Sequence, residues 1–176
     1  MKYLFSVSLM SFLLFATLHA DAQKDKSKRP SPPATVTQKL GETTVTIDYS
    51  QPSVKGRTIG IDLEPMQDKV WRAGANEATF FEVDKDVTVE GKTLPQGKYG
   101  FFILVHEKTW TLIFNKTWDQ WGAFTYKEAD DVLRVQVPEK EANTVSEMLS
   151  YKINTNGLVI ILWGTKGVSF TVKEKH

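Results

Sequence analysis

Residues 149–172 read LSYKINTNGLVIILWGTKGVSFTV. Leu149, Tyr151 and Ile153 alternate with polar neighbours, the period of a strand with one buried face. Asn156-Gly157 then falls between two strand-like runs, and both residues tolerate the positive φ of a tight hairpin turn. Leu158–Trp163 is apolar at every position, which predicts a central strand buried on both faces. Val168, Phe170 and Val172 alternate again. This stretch predicts a β-hairpin and no helix.

The same period continues upstream. In residues 43–49, Val45, Ile47 and Tyr49 share one face, with Thr44, Thr46 and Asp48 on the other. Pro52 and Gly56 break that strand. Further strands are expected over 79–83, 87–90, 101–105, 110–114 and 132–137. Turns are expected at Gly91-Lys92, at residues 94–99 and at 106–109. Residues 138–146 are polar and read as a connection, and 126–131 are long enough for one helical turn. Many short strands without a βαβ rhythm predict an all-β fold with minimal helix. An antiparallel β-sandwich is the first expectation, with jelly-roll-like or barrel-like closure as the alternative.

The N-terminus sets an expected compartment. Lys2 precedes a run from Tyr3 to Leu18 that is almost free of charge, and Ala20-Asp21-Ala22 supplies small residues two apart. Such a run is shorter than the roughly 20 residues of a membrane span. It is read as a signal peptide over residues 1–22, cleaved after Ala22, giving a periplasmic or secreted protein with no membrane span left. Residues 23–33, QKDKSKRPSPP, are polar and proline-rich and read as a disordered linker. Residues 34–176 then form a single domain, large enough to bury about 70% of its unfolded surface. The chain has no cysteine, so this domain rests on its core alone. A formal net charge of +1 gives no electrostatic case for a nucleic acid or an anionic membrane.

Two segments carry chemistry. The first, VWRAGANEAT over residues 70–79, joins Trp71, Arg72, Asn76 and Glu77 around small residues. Arg offers a planar fork of donors, and Asn and Glu offer directional partners for hydroxyls or amides. Their structural alternative is an Arg72–Glu77 pair and a turn held by Asn76. The second, residues 115–126, carries Asn115, Trp118, Trp121 and Tyr126 among further polar groups. Trp rings beside amides and carboxylates suit sugar rings, while burial at one end of the core is the competing role.

Enzymatic constellations are sparse. Only His106 and His176 follow the expected cut, so no zinc site of several His or Cys ligands can be built, and no cofactor is expected. No G-x-S-x-G and no phosphate-binding glycine loop is present. Asp48, Glu64, Glu77 and Asp119 are candidates for a carboxylate pair, Glu77 with Asp48 or Asp119 first. Glu82, Asp84 and Asp86 are candidates for Ca²⁺, although charge at a strand end also describes a solvated turn.

Several strings now read together. Residues 31–36 (SPPATV), 45–57 (VTIDYSQPSVKGR) and 70–79 lead the series. Residues 94–100 (LPQGKYG), 110–115 (WTLIFN) and 121–124 (WGAF) follow in order. The chain resembles the bacterial domain-of-unknown-function family DUF2911. The resemblance implies an exported envelope or secreted protein of a Bacteroidetes-type bacterium and brings no catalytic residue. One departure is Gly164 after Trp163, where a charged residue is expected, placed here at an edge turn. Three functions stand at this point. The first is a non-catalytic binding domain for a saccharide or other polar envelope molecule. The others are an envelope protein-interaction module and a carboxylate-dependent hydrolase.

Overall fold

The computed structural model describes residues 25–175, so the expected signal peptide lies outside the described residues. Eleven strands follow in order: β1 (Pro33–Leu40), β2 (Thr43–Ser50), β3 (Val70–Trp71), β4 (Thr79–Val83), β5 (Val87–Val89) and β6 (Lys92–Leu94). Then come β7 (Gly97–His106), β8 (Thr109–Asn115), β9 (Asp131–Pro138), β10 (Lys140–Ile153) and β11 (Leu158–Glu174). They form two antiparallel sheets. The larger runs β1-β2-β4-β7-β8-β9 with β3 also on β7, and the smaller runs β10-β11-β5-β6. The fold is all-β and sandwich-like, as the periodicity predicts. The single helical turn near 126–131 is a 3₁₀ turn at Glu128–Asp130.

The core is aromatic and crosses between the sheets. Phe81, Phe101 and Phe114 come from the larger sheet, and Phe170 and Tyr151 from the smaller. Phe81 meets Phe114 edge-on at 5.1 Å and Phe170 at 6.4 Å; Phe101 meets Phe170 at 6.0 Å. The first is edge-to-face, the second tilted and the third stacked at 30°, all at separations that ring quadrupoles favour. Tyr151 donates its hydroxyl to Ala73 O at 2.6 Å, so the one polar atom it brings inside is satisfied.

Three expectations need correction. Residues 140–146 belong to β10, where none of the side chains described is buried, so they lack the apolar signal of a buried strand. Leu158, Ile160 and Leu162 are only half-buried, because β11 has the core on one side alone. Gly164 is no edge turn. It faces Ser146 inside the β10–β11 pair, where the register shifts, and takes φ 58 with Ile59 packed where a Cβ would stand. A glycine there admits both the left-handed backbone and the close neighbour.

The hairpin falls where the dipeptide predicts, but its loop spans 154–157, with Gly157 at φ 82 and Asn156 not in the positive-φ region. At the β7–β8 turn, His106 Nδ1 lies 2.6 Å from Asp68 Oδ1. That hydrogen bond, then the Asp68 charge, raises the His106 pKa above 6.5. A raised histidine value means the pairing is complete below pH 6.5 and is lost as pH rises through the folded value. The imidazole resonances of His106 are expected to titrate above 6.5. In Asp68→Asn the midpoint should fall back to about 6.5. An unchanged midpoint in that variant would show that the pair does not persist in solution.

Candidate functional site

The outer face of the larger sheet is partly covered by the 116–130 segment, which leaves β8 and returns into β9. It lies on Phe102 and Ile113, both fully buried, with Ala123 and Tyr126 packed over them. Gly100 makes this close seating possible, since a Cβ there would come within 2.6 Å of Thr117 O. Asn115 clamps both ends of the segment. Its amide donates to Lys127 O at 2.9 Å and Asp131 Oδ1 at 2.7 Å, and its oxygen accepts from Thr117 N at 2.9 Å. Tyr126 donates to Asp131 Oδ2 at 2.7 Å. Burial first, then that carboxylate, pushes the Tyr126 phenol well above its ordinary pKa. Gln120 accepts from Thr125 Oγ1 at 2.9 Å and donates to Thr117 O at 2.8 Å, tying the middle together.

This clamped segment meets the other candidate segment. Glu77 and Trp121 form an antiparallel bridge, Ala78 N donates to Gln120 O at 2.9 Å, and Gly122 N donates to Asn76 O at 3.0 Å. The structure therefore brings Asn76, Glu77 and Trp121 together. It does not join Trp71 to them. That ring is 2% exposed, stacks on Trp163 at 5.8 Å and donates to Gly74 O, because β3 turns it into the core. Arg72 is half-buried, and its Nε has no hydrogen-bond partner among the described residues. Burial lowers its pKa, opposed by the charge of Glu64, so its electrostatic neighbour is Glu64 and not Glu77.

The aromatic side chains divide by role. Asn115 and Tyr126 hold the segment in place, as just described. Trp118 packs edge-on to Phe80 at 6.1 Å, and the Lys98 ammonium sits 3.6 Å from the Phe80 centroid and 3.9 Å from that of Trp118. Its cation–π position is thus filled by Lys98. Trp121 is 55% exposed and Phe124 84% exposed. Phe124 was not among the expected site residues. Gly122, at φ 65, lets its ring fold back between the two, where a Cβ would meet Phe124 Cε2 at 3.0 Å.

Sequence reasoning also missed the N-terminal contribution. Residues 25–32, read as disordered linker, are seated against the domain because their cations find a carboxylate. Arg29 Nη1 lies 2.7 Å from Glu77 Oε2, and Lys26 Nζ lies 3.1 Å from Oε1. The Arg29 guanidinium also stands 5.7 Å from the Trp121 ring centroid. Asn76 donates its amide to Ser31 O at 3.0 Å. The charge run was the available signal, but nothing in it named the partner.

Partial burial pushes the Glu77 carboxyl up, yet its own backbone N–H, Arg29 and Lys26 outweigh that and hold its pKa below 4.5. Glu77 is ionised at neutral pH and has no proton to give as a general acid. Asp48 Oδ2 accepts from Thr35 Oγ1 at 2.7 Å. Asp84 Oδ1 accepts from Thr44 N at 2.7 Å and Asp86 Oδ1 from Gln96 N at 2.9 Å, so each acidic side chain ties a strand end. Among the described residues no group of three His, Asp or Glu side chains is placed to hold a metal ion. No described helix is long and apolar enough to cross a membrane. A family model described as a protein of unknown function (DUF2911) matches residues 31–172. No curated protein and no solved structure matches.

Proposed function

The chain belongs to the DUF2911 family, which brings no activity with it, and we propose from the site that it is an exported, non-catalytic binding module for a saccharide. The supporting observation is the exposure of Trp121 and Phe124 on a segment whose polar groups are otherwise fixed by hydrogen bonds. Large aromatic side chains are costly to leave in water, and a rigid mount removes the ordering cost of binding. Ring faces of this kind accept the C–H face of a pyranose. Asn76 and Glu77, joined to the same segment, stand beside Trp121 to meet hydroxyls. The ionised state of Glu77 argues for binding over acid catalysis.

The test is calorimetric titration with a panel of envelope-type oligosaccharides, on the wild type and on Trp121→Ala. The variant should weaken binding at least about tenfold, worth about 1.4 kcal/mol. Its melting temperature should barely move, since exposed substitutions usually stay within about 0.5 kcal/mol. A panel without any binder, or binding that survives Trp121→Ala, would overturn the reading. Export is tested separately. N-terminal sequencing of the native protein should begin at Gln23.

A further inference from the structure

The site is already occupied, and its occupant carries chemical information. Both oxygens of Glu77 are engaged by cations, Lys26 on Oε1 and Arg29 on Oε2. The same Arg29 stands over Trp121. A carboxylate beside an aromatic face is the pairing that selects a positively charged ligand with some flat or apolar body. A neutral sugar stacked where Arg29 lies would strip Glu77 of that cation and return only uncharged hydroxyl donors. A sugar bearing an ammonium group would restore it.

We propose that the platform takes a cationic saccharide, an amino sugar with a free ammonium group, and that Lys26 and Arg29 are its displaceable stand-ins. This rests on the saccharide reading of the platform given above. The stand-ins are built to leave. No residue of the 3₁₀ turn Lys26–Lys28 is buried, and its caps are its own chain neighbours, the Asp25 side chain and the Arg29 N–H. The Glu77 side chain is 38% exposed and that of Lys26 55%, so water screens that pair, while the Arg29 side chain, 21% exposed, is the more firmly seated of the two. Glu77 and Trp121 fall within the family-matched span of residues 31–172, while Lys26 and Arg29 precede it. Ligand entry exchanges one set of charge-assisted contacts for an equivalent set, and it frees the N-terminal segment from the domain.

The experiment compares a β-linked glucosamine oligomer with its N-acetylated counterpart by calorimetry at fixed low ionic strength. The wild type should prefer the free amine at least tenfold. Glu77→Gln should erase that preference, with folding checked by an unchanged melting transition. The double variant Lys26→Ala/Arg29→Ala should bind the glucosamine oligomer several-fold more tightly, since the competitor in cis is gone. Equal binding of the two oligomers by the wild type would overturn the cation inference and leave the saccharide platform standing. If neither oligomer binds even the double variant, the platform reading falls, and this inference with it. A peptide of residues 25–31 offered in trans to the double variant separates the remaining case. Its binding, lost on adding Glu77→Gln, supports the cation subsite by itself; failure of the peptide to bind overturns it.

Discussion

Phe81→Ala is expected to cost about 3–5 kcal/mol of folding stability, the range for truncating a fully buried aromatic. Phe81 is 0% exposed and touches Phe101, Phe114 and Phe170, so its ring is shared by both sheets. Truncation removes apolar area and leaves a void that rigid neighbouring rings fill poorly. In a domain of this size the loss corresponds to roughly 8–15 °C in Tm. Urea unfolding should show a lower midpoint at an unchanged slope, because the surface exposed on unfolding is nearly the same. A loss below about 1.5 kcal/mol would mean that the ring cluster does not bridge the sheets as described. Phe81→Leu, which keeps much of the volume, should recover a large part of the stability.

Asn115→Ala is the second large effect, and it separates scaffold from surface. Its amide is fully buried and makes three hydrogen bonds that pin both ends of the 116–130 segment. Truncation strands Thr117 N–H, Lys127 O and one oxygen of Asp131. A stranded group that stays dry costs about 1–3 kcal/mol, and since these partners are only partly buried and can rehydrate, a total near 3 kcal/mol is expected. Because Trp121 and Phe124 ride on that segment, saccharide binding should fall as well. Trp121→Ala should lose binding alone, whereas Asn115→Ala loses binding and stability together. Stability within about 0.5 kcal/mol of wild type would show that Asn115 is not the clamp.

Much of the fold was legible because burial on one side writes itself as alternation. Val45, Ile47 and Tyr49 are buried in β2 as their spacing demands, and so are Val168, Phe170 and Val172 in β11. The first half of β10 was not legible. Its pairing is made by backbone groups, which leave no trace in side-chain polarity when both faces are open. Leu158, Ile160 and Leu162 misled in the opposite direction, since an apolar residue on an outer face looks the same in sequence as one in the core.

The site was legible in part for a similar reason. Trp71, Trp118 and Trp121 are equivalent as letters. Only the fold turns the first inward, sets the second against Lys98 and leaves the third in water. Asn115 and Tyr126 were picked as candidate contacts for a ligand, but the same hydrogen-bonding capacity is spent inside the segment. Arg29 lay in a stretch with no apolar pattern. Its partner, Glu77, is 48 residues away, a distance no local spacing rule spans.

The position of β11 has a consequence for how the protein is made. Val172 pairs with Val89 and Glu174 with Val87, and Phe170 completes the ring cluster. At a synthesis rate of about 5–20 residues per second, Val172 follows Val89 out of the ribosome by about 4–17 s. Throughout that interval Val87 and Val89, fully buried in the native fold, lack their β11 neighbour and have only β6 beside them. The nascent chain therefore cannot close its core before its last strand arrives. Pairing of such distant segments then takes milliseconds to seconds. A core that waits for β11 leaves those apolar side chains in water for all of that time, a window in which pairing with another chain competes with folding.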